Sequence, residues 1–70
     1  MKIIDKFTEK QIDVLKSIDI FLDGSDYSDE EIFNIDSKVS RNLMLLGFDG
    51  EDINYIGREL LSILDLLAEL

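Results

Sequence analysis

From residue 53 onward, isoleucine and leucine recur at helical spacing. Ile53, Ile56, Leu60, Ile63, Leu64 and Leu67 fall within about a 100° arc at 3.6 residues per turn. Leu61 and Ala68 widen that arc on one side and Tyr55 and Leu66 on the other, leaving Asn54, Arg58, Ser62, Asp65 and Glu69 as the polar strip. The pattern predicts a helix over residues 49–69 with more apolar surface than one neighbour covers. The rest of the chain is expected to supply that cover.

Upstream, two further periodic stretches follow the same start signature. Phe7-Thr8-Glu9-Lys10-Gln11-Ile12, Tyr27-Ser28-Asp29-Glu30-Glu31-Ile32 and Phe48-Asp49-Gly50-Glu51-Asp52-Ile53 each place a capping side chain after an aromatic residue and three before a Gln, Glu or Asp. This is the pattern of a capping box joined to a hydrophobic staple. The first predicts a helix over residues 9–22, with Val14, Leu15, Ile18, Phe21 and Leu22 facing inward and Gly24 as its stop. Residues 1–7 are in phase with it, so Ile3, Ile4 and Phe7 either pack on this helix or extend it; a cap at Thr8 favours packing.

The second signature predicts a helix over residues 28–46 ended by Gly47, with Ile32, Ile35, Val39, Leu43 and Leu46 in the core. On another face Phe33, Ser37, Ser40 and Met44 form a line in which two small polar residues lie between two large apolar ones. That arrangement makes a shallow groove and a candidate docking face. Short linkers make consecutive helices neighbours, so the expected fold is all-α, a three-helix bundle forming one domain over residues 1–70.

Composition narrows the chemistry. A 70-residue chain buries only about 60% of the surface its unfolded form exposes. There is no cysteine and no histidine to reinforce it with a disulfide or an ordinary zinc site. Self-association is the remaining device. The surplus apolar flank of the last helix points to Tyr55, Leu66 and Leu70 as its residues, with Gly57 and Ala68 as small surfaces for close approach. No glycine-rich phosphate loop is present either, and a lone carboxylate pair needs a cleft to do acid–base work, so an enzyme is not expected. No cofactor is implied. The acidic loop at Asp23, Ser25 and Tyr27 begins like a calcium loop, but Ser28 and Asn34 stand where that pattern needs glycine and glutamate.

Sixteen acidic against seven basic residues give a formal net charge of −9, which opposes nucleic acid and anionic membranes and favours a basic partner. Residues 17–37 hold no basic residue at all, which singles out Asp19, Asp23 and Asp26 as a recognition surface beside Phe33, Ser37, Ser40 and Met44. Charges at Lys2, Asp5 and Lys6 interrupt the apolar run that a secretory leader needs, so the expected location is the cytoplasm.

Two functional classes fit: a protein-interaction module, expected to form a homodimer, that regulates, inhibits or adapts another protein, and an inhibitor whose carboxylates mimic nucleic-acid phosphates. A third rests on a resemblance. Asp36-Ser37-Lys38-Val39-Ser40-Arg41-Asn42-Leu43 resembles the recognition helix of helix-turn-helix regulators, which implies DNA contact through Ser37, Lys38, Ser40 and Arg41. The helix and turn that precede that segment in the family are missing here.

Overall fold

Thr8 caps the first helix in the computed structural model, which describes residues 2–70. Its hydroxyl accepts from the Gln11 N–H at 3.2 Å, and the Gln11 side-chain oxygen accepts from the Thr8 N–H at 2.8 Å, closing the expected box. Ser28 and Glu31 repeat it, at 3.1 and 3.2 Å. These starts give α1 (Glu9–Ser17) and α2 (Asp29–Leu46). Ahead of α1 the chain makes one turn of 3-10 helix, Ile4–Lys6, and Ile3 and Phe7 on either side of it are buried. The N-terminal segment therefore packs into the core and does not lengthen α1.

The end of α1 departs from expectation: the helix stops at Ser17, not at residue 22, and Gly24 is not its stop. Asp19 takes the left-handed conformation, φ 64°, that glycine usually supplies at this position. The Ile20 N–H donates to the Leu15 carbonyl at 2.9 Å and the Asp19 N–H to the Lys16 carbonyl at 3.1 Å, the paired bonds of a Schellman motif. Ile20 and Leu15 are both buried, so the reversal is held by the apolar contact that accompanies this motif. Lys38 of α2 donates to the Asp19 carbonyl at 3.2 Å and anchors the turn from outside. By turning early, the chain sends Ile20 inward and leaves Phe21 exposed.

The third start signature is a hairpin. β1 (Phe48–Asp49) pairs antiparallel with β2 (Asp52–Ile53), Phe48 opposite Ile53 and Asp49 opposite Asp52. Gly50 has φ 67° while Glu51 does not have positive φ. Glycine at the first of two central residues suits the turn that matches strand twist. The expected helix over 49–69 is thus shortened to α3 (Tyr55–Ala68), and its cap is Asn54, whose Oδ1 accepts from the Gly57 N–H at 2.8 Å. Asn54 also donates from its side chain to the Leu46 carbonyl and from its backbone to the Gly47 carbonyl, each at 2.8 Å. One residue starts α3 and satisfies the end of α2.

α3 is the central element. It packs on both α1 and α2, which scarcely touch each other. Leu60, Ile63 and Leu67 are buried at its centre with Leu15, Val39, Ile3 and Ile20 around them. The chain is mostly helical, with three α-helices and one two-stranded sheet among the described residues, in keeping with a small helical bundle. Among the described residues no helix is long and apolar enough to cross a membrane.

Candidate functional site

The early end of α1 opens a concavity on the surface. Asp19, Ile20, Phe21 and Leu22 form one wall, Asn34, Ile35 and Lys38 of α2 the other, and Tyr27 lies at one end. It is an open groove of about 270 Å³. Phe21, expected in the core, is 68% exposed at its edge. The Lys38 ammonium is engaged with the Asp19 carbonyl, so the wall is braced as well as charged.

The loop that leads out of the groove is ordered by its own side chains. The Ser25 N–H donates to Asp23 Oδ1 at 2.8 Å, and the Tyr27 hydroxyl accepts from the Asp23 N–H at 3.1 Å. The hydrogen bond from the Ser25 backbone, with a lesser one from its side chain, holds the Asp23 carboxyl below its ordinary pKa. Asp23 is therefore a structural residue of the loop as well as a negative charge on it. Asp19, in the left-handed turn, is a second. Asp26 is exposed beside them. All three expected acids thus border the groove or the loop that leaves it, but two of them also shape the backbone.

The other expected residues divide. Phe33 and Met44 of α2 are 67% and 79% exposed, so they do not widen the core; Ser37 is exposed between them. Ser40 is half-buried and donates to Asp36 Oδ1 at 3.5 Å. This line lies roughly 140° round α2 from the groove wall, so the structure separates two surfaces that the sequence reading grouped together. Tyr55 is exposed with Lys10 Nζ 5.7 Å from its ring centroid. Leu66 and Leu70 are half-buried against the core, which removes the premise that no neighbour covers this flank of α3.

Gly57 also has a different use. It is buried against Gly47, and a Cβ built at Gly47 would lie 2.9 Å from the Gly57 Cα and 2.5 Å from the Leu43 carbonyl oxygen. The two glycines let the end of α2 cross the start of α3 at backbone contact, so Gly57 is consumed within the chain.

Among the described residues no group of three carboxylates is arranged to hold a metal ion. Gln11, the one buried polar side chain among the described residues, is 5% exposed and donates to Ser62 Oγ at 2.8 Å, tying α1 to α3. Its hydrogen bonds are structural. The groove residues Phe21, Leu22 and Tyr27 escaped sequence reading because helical periodicity runs smoothly from Leu15 to Leu22; an aspartate two residues beyond the last turn was the sole mark of the break. No protein-family model, curated protein or solved structure matches the chain.

Proposed function

We propose that the chain is a small acidic protein-interaction module of the cytoplasm that regulates, inhibits or adapts another protein. The groove between residues 19–22 and α2 receives a segment of that protein. The observation that carries this reading is the groove itself: an open concavity in which Ile20, Phe21, Leu22 and Ile35 lie beside Asp19, Asn34 and Lys38, with the exposed Phe21 ring at its edge and acidic residues at the loop beside it. A segment pairing apolar side chains with lysine or arginine meets both features. Phosphate mimicry would instead call for carboxylates gathered on one face and would not need the Phe21 ring. Binding is favoured over catalysis because the titratable groups of the wall are one aspartate, one tyrosine and one lysine whose ammonium is already engaged.

Reversing Asp19, Asp23 and Asp26 together would disturb the turn and the loop, so the test uses Phe21→Ser with Asp26→Lys. Proteins captured from the source cell by the unaltered chain should be lost to this double variant by at least tenfold while circular dichroism stays unchanged. Phe33→Ser on the opposite side of α2 should retain them. Capture that survives the double variant sinks the groove as the docking site. Capture of a nucleic-acid-binding protein that added DNA displaces, with no sensitivity to Phe21, establishes mimicry in its place.

A further inference from the structure

The outer line of α2 has a symmetry that the groove reading does not use. Phe33, Ser37, Ser40 and Met44 are spaced by four, three and four residues, so the line reads the same from either end. Turned end over end about the midpoint between Lys38 and Val39, a second α2 would set its Met44 opposite Phe33 and its Ser40 opposite Ser37. Each large residue would then meet a large one, and the small residues would meet at the centre, where the helices approach most closely.

Charge follows the same plan. The first half of α2 carries Asp29, Glu30, Glu31 and Asp36 with no cation. The second half carries Lys38 and Arg41 with no acid, and residues 37–48 are the longest stretch of the chain free of acidic residues. Laid antiparallel, the end of one copy that carries Asp29, Glu30 and Asp36 runs beside the Arg41 end of the other, Glu31 and Lys38 lying on the far side of the helix, and the two helix dipoles oppose. For a chain of net charge −9, this is the face on which a second copy meets the least repulsion. Phe33 and Met44 are both about two-thirds or more exposed there, so the apolar surface stands free.

We infer that the chain forms a two-fold antiparallel dimer through the Phe33–Ser37–Ser40–Met44 line of α2, with a second copy of itself as the occupant of that face. The contact is isologous, as closed two-fold dimers require. It lies away from the groove and stands or falls independently of the docking reading. An 18-residue helix is about 27 Å long. A single helix pair of that length buries less than about 1,200 Å², the low end for specific interfaces, so the dimer is a weak one, formed at tens to hundreds of micromolar.

Because the chain has no cysteine, engineered thiols report the geometry without background. In the antiparallel register, position 33 lies about 16 Å along the axis from its own copy, too far for a disulfide, but opposite position 44. Phe33→Cys and Met44→Cys proteins, mixed and oxidised with copper phenanthroline at 200 μM, should cross-link at least tenfold more than either protein alone. Light scattering at the same concentration should show the unaltered chain moving from 8.0 kDa towards twice that mass, and Phe33→Glu should hold it at 8.0 kDa with its helicity unchanged. A chain that stays at 8.0 kDa overturns the inference, and so does Phe33→Cys cross-linking to itself as readily as to Met44→Cys, which would mean a parallel pair.

Discussion

Asp19 carries the strain at the residue scale. A side chain in the left-handed region costs roughly 1–2 kcal/mol, and aspartate is among the residues that bear it best. A carboxylate at a helix C-terminus also faces the negative end of the dipole, a further cost of about 0.3–1 kcal/mol. Glycine removes both at an entropic cost of about 0.5–1 kcal/mol. Asp19→Gly is therefore expected to stabilise the fold by about 0.5–1 kcal/mol, a rise of a few degrees in Tm by thermal denaturation. The Lys38 bond survives because its acceptor is the backbone carbonyl. Asp19→Val should move Tm down, since a β-branched residue fits this conformation worst. If both variants lower Tm equally, the carboxylate itself holds the turn and the backbone account is wrong.

Among the elements, the crossing of α2 with α3 decides whether α3 can seat. Alanine is favoured over glycine inside a helix by about 1 kcal/mol, so propensity alone predicts that Gly57→Ala stabilises. The structure predicts the reverse. A Cβ on Gly57 would collide with the Gly47 carbonyl and approach Ile53 Cγ1 to 2.7 Å, and backbone cannot yield as a flexible side chain can. Overpacking of this kind costs about 1–3 kcal/mol beyond the propensity gain. Gly57→Ala should lower Tm by roughly 10 °C. An unchanged or higher Tm would mean that the two segments part freely at the crossing, leaving Asn54 and the core contacts around Val39 to hold α2 to α3.

Seen as a whole molecule, the chain compensates only part of its negative charge at helix starts. Glu9, Asp29, Glu30 and Glu31 do lie in first turns, where the dipole stabilises them. Asp49, Glu51 and Asp52, expected at the start of the last helix, are in the hairpin, and α3 has no acid in its first turn. With three fewer acids offset, self-repulsion weighs more on a surface of 4750 Å², close to the about 4450 Å² usual for 8 kDa. Between 20 and 300 mM sodium chloride, Tm at 5 μM chain should rise by several degrees, as screening removes repulsion worth about 1 kcal/mol. A falling curve would show that local pairing outweighs the net charge. Working at 5 μM keeps the weak dimer dissociated and the measurement on the single chain.

What the sequence determined by itself is local. The two capping boxes pair side chains and backbone groups only three residues apart, so Thr8 with Gln11 and Ser28 with Glu31 could be read without knowing the fold, and α2 came out within one residue of its expected bounds. The buried stripe of α3, from Leu60 to Leu67, was legible from periodicity because one face had to meet its neighbours. Where α1 ends was decided only by tertiary structure: residues 18–22 continue the helical pattern, yet the chain turns at Asp19 because Ile20 finds burial against Leu15 and Lys38 closes the turn from another helix. The groove exists because of that turn, so its residues could not be read from spacing. The hairpin was masked by a cap signature that its aspartates and glycine satisfy equally well, and Asn54 displaced it because its three bonds join α2 to α3. Contacts between residues ten or more apart leave no periodic trace, and the Gly47–Gly57 crossing is one of them.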